Sequence, residues 1–403
     1  MTRGITHNEV RRSRAVRRIG VTALAVTLLT GAAATGVTAA AGQGRPELRE
    51  AIQEFVDAGY AGMQMRVHDE RGEWSGSAGA RKLGQAAKPP TDGHFRIGST
   101  TKSFTATLVL QLVAAGHIGL DSPAAEYLPK FALDPEITVR RLLQHTTGLF
   151  DFVSGGIYDG VYVPGIPWQG EEWVEKRFHT CQPEELVRFA LSKPPHFTPG
   201  TSWSYSNTNY VLARLLVEKV TGHPFADELE RRILRPLKLR GTLSPGAWPG
   251  MPSPHAHAYY RYEDKAKQWK TIDVTRQNPS WISSAGDMIS TTQDLHRFFS
   301  ALQGGKLLPA PLVVEMRKTR PDSEGLYGRY GLGQYVQDAG LGCAVTVLNH
   351  NGSNNGYGAL MYSTPDGSKT MTASITMGDA AIDQAKVFPA ELKKLLKVVF
   401  CGK

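Results

Sequence analysis

The sequence predicts an α+β fold: an antiparallel sheet of about five strands, flanked by terminal helices and carrying a large, mostly helical insertion. Alternating apolar residues, typical of half-buried strands, occur near both ends of the chain. Between about residues 95 and 303 the apolar residues mostly recur at helical spacing. The 403 residues are 41% hydrophobic and 21% charged, which is typical of a globular protein with a large core. These values exclude disordered and collagen-like classes.

The first part of the predicted sheet comes from about residues 42–91. Pro46–Tyr60 is predicted to be a helix, because a proline stands early in it and apolar residues recur at helical spacing. Met63–Val67 alternates as a strand does, and a polar turn over 69–73 leads into a second short strand.

The second part of the sheet comes from about residues 304–403, near the end of the chain. A helix over Ala380–Phe400, with a break at Pro389, closes this part. The strand-like segments are Ala344–Leu348, Tyr357–Ser363 and Thr370–Thr376. The two ends of the chain are therefore expected to build one sheet.

The helical part is expected over about residues 92–303 of a single catalytic domain, 42–403. It contains a stretch rich in Gly and aromatic residues, 151–172. We predict a long irregular loop there, which is either functional or a packed surface flap.

The N-terminal segment has the features of an export signal. An arginine-rich stretch, Arg11–Arg18, precedes the apolar run Ile19–Leu29, and Thr38–Ala41 resembles a signal-peptidase site. The apolar run is too short for a membrane span, so residues 1–41 are predicted to be cleaved and the protein secreted without a stable membrane anchor. This segment contains six Arg and one Glu, so its removal lowers the net charge from +9 to +4. The remainder has no basic stripe, which argues against nucleic-acid binding.

The three cysteines, Cys181, Cys343 and Cys401, are too few for a disulfide scaffold. Two short sequences resemble parts of metal sites, but neither has an evident third and fourth ligand. They are His255-Ala-His257 and His179-Thr-Cys181. We expect neither a metal nor another cofactor.

Ser99-Thr-Thr-Lys102 opens a long apolar helix that ends near Gly116. Residues three apart lie on one face of a helix, so the Lys102 amine is expected beside the Ser99 hydroxyl. A serine needs a base to become a nucleophile, and a buried lysine can be shifted towards neutrality to act as one. Alone, the motif is weak, because Ser-x-x-Lys occurs by chance in a chain of this length.

Two further short motifs add polar groups that could face the same cleft. In Tyr205-Ser206-Asn207 the phenol and the carboxamide point to one side of an extended segment, so Tyr205 could relay protons if its pKa falls beside a cationic Lys102. His350-Asn-Gly352-Ser353 ends a strand, where glycine allows a substrate to approach the strand edge. Each motif alone is more often structural.

Together, the order and spacing of the three motifs resemble the active-site serine penicillin-recognising enzymes, whose elements are S-x-x-K, then S-D-N or Y-x-N, then K-T-G or H-x-G. The chain is most similar to the class C β-lactamase group and to the secreted D-alanyl-D-alanine carboxypeptidases of Streptomyces. The resemblance covers about residues 92–403. It includes Leu143–Leu149, Pro199-Gly200, Tyr205–Tyr210, Ser284–Asp287, Ser290-Thr291 and Gly304–Pro309.

The resemblance implies that Ser99 is the nucleophile and that Lys102 and Tyr205 share the general base and acid work, with the choice of base left open. Asn207 would orient the acyl side of the substrate. His350 would replace the family's usual Lys as a polar wall of the cleft, cationic when protonated.

The resemblance also implies substrate contacts and a disulfide. The backbone N–H groups of Ser99 and Ser353, beside Gly352, would form the oxyanion hole. Trp281 falls where relatives have an aromatic cleft wall. Cys343 and Cys401 are placed as in a relative that pairs them, which leaves Cys181 free.

The implied function is that of a secreted, monomeric serine hydrolase that acts on peptidoglycan stem peptides as a D-alanyl-D-alanine carboxypeptidase or transpeptidase. β-Lactams would inhibit it covalently. The same site would serve a β-lactamase, a D-amino-acid amidase or an esterase. A non-catalytic binder of peptidoglycan or a β-lactam sensor is disfavoured, because all the catalytic residue types are present.

One departure from the carboxypeptidase pattern concerns the substrate's terminal carboxylate. The carboxypeptidases that this chain resembles look like having an Arg just after a Gly-Leu-Gly run. In this chain the run is Gly331–Gly333, and no Lys or Arg occurs from Gly331 to Gly342. Recognition of a free carboxylate is therefore expected to be weakened. Two replacements for the missing arginine remain open: Ser353 together with a protonated His350, or a cation supplied by Arg329 or by the loop 151–172.

Overall fold

The computed structural model describes residues 44–338 and 343–402, without the side chain of Asp338; the predicted signal segment lies outside these ranges. Twelve α-helices are present in the described residues. They are α1 (Pro46–Asp57), α2 (Thr101–Ala114), α3 (Ala124–Tyr127), α4 (Val139–Gln144), α5 (Gly170–Lys176), α6 (Pro183–Leu191), α7 (Asn207–Thr221), α8 (Phe225–Leu229), α9 (Arg235–Leu237), α10 (Thr292–Gln303), α11 (Ala310–Arg317) and α12 (Gln384–Leu396).

Fourteen strands are present in the same part of the chain. They are β1 (Gly62–Asp69), β2 (Gly72–Gly79), β3 (Phe95–Arg96), β4 (Gly156–Tyr158), β5 (Val161–Val163), β6 (Tyr259–Glu263), β7 (Trp269–Asp273), β8 (Ile289–Ser290), β9 (Arg329–Tyr330), β10 (Tyr335–Asp338), β11 (Thr346–Asn349), β12 (Gly352–Asn354), β13 (Tyr357–Ser363) and β14 (Thr370–Thr376).

The main sheet is antiparallel and joins the two ends of the chain, which confirms the predicted α+β fold. Its order is β2-β1-β14-β13-β11-β10-β9, and β12 pairs with β13. It has eight strands instead of about five, because β9, β10 and β12 are two to four residues long and leave no alternating pattern in the sequence. Three two-stranded sheets, β3-β8, β4-β5 and β6-β7, lie apart from it.

The two faces of the main sheet pack against different helices. Along β13, Leu360 and Tyr362 belong to the core with α1 and α12, whereas Ala359 and Met361 belong to the core with the helical part. This division follows from the alternation of side chains along a strand. Helix α2 lies inside the helical core and is buried from Thr101 to Leu110, so its first turn is enclosed.

Three local predictions differ from the structure. Pro389 lies inside α12 and does not break it; only one backbone hydrogen bond is lost near the helix start, while Leu392, Leu395 and Leu396 anchor the helix in the core. The predicted irregular loop, 151–172, contains the β4-β5 hairpin and the start of α5. The first helix ends at Asp57 rather than Tyr60.

A disulfide joins Cys343 to Cys401, which follows α12, and Cys181 has a free thiol. It ties the segment before β11 to the C-terminal helix. Within the described ranges, none of the helices combines the length and apolar character that a membrane crossing requires.

Candidate active site

Ser99 and Lys102 lie side by side at the start of α2. A short 3₁₀ turn, Gly98–Thr100, carries Ser99 and continues directly into the helix. The Lys102 Nζ atom is 3.1 Å from the Ser99 Oγ atom. Lys102 is fully buried, and Ser99 lines a cavity. The helical spacing of the motif therefore produces the predicted pair.

The Lys102 amine has two further partners, both hydrogen-bond acceptors. Nζ donates to Asn207 Oδ1 at 2.7 Å and to the backbone oxygen of Ala285 at 2.7 Å. A neutral amine has two N–H groups and one lone pair. With both N–H groups on these oxygens, the lone pair faces Ser99 and can accept its hydroxyl proton.

Burial shifts the pKa values of Lys102 and of its aromatic neighbour Tyr205. Burial lowers the pKa of Lys102 to about 7, while the Asp151 carboxylate opposes that change. Burial raises the pKa of Tyr205 well above its usual range, although its phenol is hydrogen-bonded to Ser99. The condition under which Tyr205 could relay protons, a pKa lowered beside Lys102, is therefore not met, because desolvation raises that pKa. These shifts favour Lys102 as the base and Tyr205 as a neutral hydrogen-bonding partner.

The Tyr205–Asn207 segment reaches the site as the loop that enters α7. Ser206 is extended, with φ −142° and ψ 122°, so the side chains of Tyr205 and Asn207 point to one side. The Lys102 Nζ atom lies 4.7 Å from the centre of the Tyr205 ring. The Asn207 carboxamide is occupied within the protein, since it contacts Lys102 on one side and Asp151 on the other.

His350 lines the same cavity but is not a cationic wall. It is buried, and burial, with Lys102 nearby, lowers its pKa to about 3. Its Nδ1 atom lies 2.9 Å from the Asn351 oxygen, and its Nε2 atom lies 3.1 Å from the Tyr330 hydroxyl. The idea that a protonated His350 binds a carboxylate is therefore wrong.

Two glycines allow β12 to approach Ser99. A Cβ atom on Gly352 would lie 2.8 Å from the Ser99 nitrogen and 1.8 Å from the Ile97 oxygen. A Cβ atom on Gly98, whose φ is +49°, would lie 2.5 Å from the Ser353 nitrogen. Side chains at these positions would collide with backbone, so glycine brings the two predicted oxyanion-hole nitrogens together.

The cavity beside Ser99 has a volume of about 390 Å³ and is mostly aromatic and apolar. Its walls include Tyr205, Tyr327, Tyr335, His350, Asn351, Gly352, Ser353, Leu360, Met377, Gln384 and Phe388. Among the described residues, no Lys or Arg lines it. Trp281 does not line it either: this side chain is 9% exposed and belongs to the helical core.

Neither proposed source of a replacement cation serves this cavity. Arg329 forms an ion pair with Glu324 and is not part of the cavity wall. The stretch 151–172 contains neither Lys nor Arg.

The short metal-like motifs show no ligand cluster. His255 contacts the Pro252 oxygen, and His257 contacts Asp273. In the part of the chain that the structure describes, no three His, Cys, Asp or Glu groups could hold a metal ion together.

The sequence motifs missed two groups around the catalytic pair. Asp151 is buried against Asn207, and Tyr330 holds His350. An acid between two aromatic residues, Phe150-Asp-Phe152, was the available signal for Asp151. No sequence signal marked Tyr330, because β9 has only two residues.

This geometry agrees with the family match. The profile of the family described as Beta-lactamase matches residues 48–379, so the chain belongs to this family of serine penicillin-recognising enzymes. Among solved structures, a D-stereospecific amidohydrolase from Streptomyces sp. is 35% identical with a TM-score of 0.76, covering 89% of this chain and 99% of that one. The fold is also that of a D-amino acid amidase from Ochrobactrum anthropi, which has a TM-score of 0.74 and 23% identity, covering 89% and 98% of the two chains.

Curated relatives match over shorter regions. Esterase EstB of Burkholderia gladioli is 34% identical over 158 residues, 37% of this chain and 38% of the esterase. Penicillin-binding protein 4 of Amycolatopsis lactamdurans is 31% identical over 176 residues, 42% and 40% of the two chains. The matches span roughly two fifths of these two proteins.

Proposed function

We propose that this chain is a serine amidohydrolase that forms an acyl-enzyme on Ser99, with Lys102 as the base for acylation. The observation that carries the proposal is the buried Lys102 amine, 3.1 Å from the Ser99 hydroxyl, with its other two partners both acceptors. In the proposed reaction, the Ser99 oxygen attacks the substrate carbonyl as its proton passes to Lys102. Lys102 then gives that proton to the leaving amine or alcohol as the carbonyl carbon's bond to it breaks. Water finally hydrolyses the ester: its OH joins the acyl group and its proton returns to the Ser99 oxygen.

We propose D-amino-acid amides, D-peptides and related esters with an uncharged leaving group as the substrate class. The absence of Lys and Arg among the described residues of the cavity wall supports a neutral leaving group. The D-configuration rests on the similarity to a D-stereospecific amidohydrolase over nearly the whole of that chain.

A D-alanyl-D-alanine carboxypeptidase or transpeptidase acting on peptidoglycan stem peptides is the second candidate. The exposed Ser353 side chain on the cavity wall supports it, since its hydroxyl can donate to a terminal carboxylate. The partial similarity to a penicillin-binding protein supports it as well.

We also propose that the protein is exported and acts as a monomer outside the cell. The Cys343–Cys401 disulfide supports an oxidising compartment.

The test is covalent labelling followed by substrate comparison. A β-lactam is expected to add to the mature protein once per chain, and peptide mapping is expected to find the adduct on Ser99. Ser99→Ala should remove both the label and the hydrolysis of a D-amino-acid amide while the circular dichroism spectrum stays unchanged. An adduct on another serine, or full activity of Ser99→Ala, would contradict the proposal.

A further inference from the structure

Asp151 is a buried carboxylate that contacts the Lys102 partner Asn207 but does not touch Ser99 or Lys102 itself. It is 3% exposed. Its Oδ1 atom accepts from the Asn207 backbone nitrogen at 3.1 Å and from Asn207 Nδ2 at 3.0 Å, and its Oδ2 atom lies 3.1 Å from the same Nδ2. Val153 and Ser154 supply the remaining donors. Every contact is therefore one in which the carboxylate accepts.

An acceptor-only neighbour fixes which way the Asn207 carboxamide points. An asparagine amide presents an oxygen at one end and an NH₂ group at the other, and the two ends are similar in shape. Since Asp151 can only accept, the NH₂ end must face Asp151, and Oδ1 must face Lys102. If the amide were reversed, an NH₂ group would face Lys102, and the amine would lose one of its two acceptors.

We propose that Asp151 is a positioning residue for acylation: by holding the Asn207 carboxamide in one orientation, it directs the Lys102 lone pair at the Ser99 hydroxyl. The inference rests on the proposed acylation of Ser99. It assigns a chemical task to an aspartate that is 52 residues from Ser99 in sequence and 56 from Asn207.

The negative charge of Asp151 also affects the pKa of Lys102. The titratable groups around Lys102 are Tyr205, Tyr210, His145, His350 and Asp151. The pKa of each tyrosine is raised by burial and that of each histidine is lowered by it, so the four are neutral near pH 7. Asp151 is then the negative charge that raises the pKa of Lys102 against the effect of burial. Removing that charge should lower the Lys102 pKa.

A purely structural role is the competing explanation, because Asp151 also holds the turn at Val153 and Ser154 and the start of α7. The two explanations differ in the pH dependence of kcat/KM. A structural defect lowers the amount of active enzyme without moving the pH at which Lys102 loses its proton. A positioning defect lowers the plateau, and the loss of the Asp151 charge in the same variant moves that midpoint.

The experiment compares Asp151→Asn and Asp151→Glu with wild type and with Asp294→Asn. Asp294 is a matched control, because it is similarly buried at 4% exposure and accepts from the Gly241 nitrogen and the Thr242 hydroxyl. It does not contribute to the Lys102 pKa. Each variant is checked by circular dichroism and thermal melting, and kcat/KM is measured from pH 5 to pH 9 with the amide or ester that wild type hydrolyses fastest.

Asp151→Asn is expected to lower the kcat/KM plateau roughly 10- to 100-fold, the size of a lost hydrogen bond to a charged group. Its acid limb should move to lower pH, because the opposite charge that raises the Lys102 pKa is lost. Asp151→Glu keeps the charge, so it should keep the wild-type midpoint and recover part of the plateau. Asp294→Asn should match wild type in both the kcat/KM plateau and the midpoint of the acid limb.

Three results would overturn the inference. One is a kcat/KM plateau of Asp151→Asn within about threefold of wild type, together with an unchanged midpoint. A loss that small is less than the loss of one hydrogen bond to a charged group produces. Another is the same loss in Asp151→Asn and Asp294→Asn with no shift of midpoint. The third is a failure of both Asp151 variants to fold while Asp294→Asn folds, which assigns Asp151 to the fold alone. Ser99→Ala, measured alongside, tests the proposed function separately: if it stays active, the proposed nucleophile is wrong whatever the Asp151 variants do.

Discussion

Replacing Tyr335 with arginine is expected to make the cavity select substrates with a free terminal carboxylate. Tyr335 lies on β10, two residues after Gly333, and it lines the cavity together with Ser99 and His350. This is the region in which the resemblance to carboxypeptidases implies an arginine. Tyr335→Arg would place a cation at the wall where the described residues provide none.

The expected gain follows from the strength of a charge-assisted hydrogen bond. A guanidinium–carboxylate contact contributes about 1.5–3 kcal/mol, which raises the ratio of free acid to amide turnover by roughly 10- to 150-fold. The substitution also removes ring contacts with Tyr330 at 4.6 Å and Tyr327 at 5.6 Å, each contributing about 0.5–1.5 kcal/mol to stability. That loss affects both substrates equally and cancels in the ratio.

The assay measures kcat/KM for a peptide ending in D-Ala-D-Ala and for its C-terminal amide, in wild type, Tyr335→Arg and Tyr335→Leu. Leucine removes the same ring without adding charge, so it isolates the effect of the cation. A cation near Lys102 should also lower the Lys102 pKa, so the acid limb should move to lower pH in the arginine variant only.

Two results would refute this reasoning about Tyr335. The first is a wild-type preference for the free acid above about 100-fold, which would equal a full charge-assisted contact. The second is the same acid-to-amide ratio in the arginine and leucine variants.

Three further predictions concern pH, the cysteines and the N-terminus. Only neutral Lys102 can accept the serine proton, and its pKa is about 7. The value of kcat/KM should therefore rise with pH up to about 7 and then level off. A pH–rate profile that is flat from pH 5 to 9, or that rises only near pH 10, would contradict this prediction. Thiol counting on denatured, unreduced protein should find one thiol, that of Cys181, and a count of three would exclude the bridge. Removing the Cys343–Cys401 bridge should lower the free energy of unfolding by about 4 kcal/mol in denaturant titrations. N-terminal sequencing of protein from the culture medium should begin just after Ala41, and an intact N-terminus on cell-associated protein would exclude cleavage.

The longer elements could be predicted from periodicity alone. The strands Tyr357–Ser363 and Thr370–Thr376 match the structure residue for residue. The pairing of Ser99 with Lys102 followed from helical spacing. These features depend on neighbours in sequence, which is why a single sequence was enough to find them.

The features that escaped prediction depend on contacts between distant segments. Asp151 meets Asn207 across 56 residues, and β10 is too short to show that Tyr335 faces the cavity. The protonation states of Tyr205 and His350 could not be predicted, because the sequence does not show how completely these groups are removed from water. Trp281 was assigned to the cleft by position, yet packing places it in the core.

In the proposed mechanism, burial is what makes a serine–lysine motif reactive in this fold. An exposed lysine with a pKa near 10.4 is neutral in well under one molecule in a thousand at pH 7, so a serine beside it would have almost no base. Enclosure of the α2 start lowers the Lys102 pKa to about 7, which raises the neutral fraction roughly a thousandfold. Burial alone would leave the orientation of the amine open. The Ala285 oxygen and the Asn207 oxygen occupy its two N–H groups, so the remaining lone pair is directed at Ser99. The proposed base therefore depends on three segments packed around one amine, and the four-residue motif supplies only one of them.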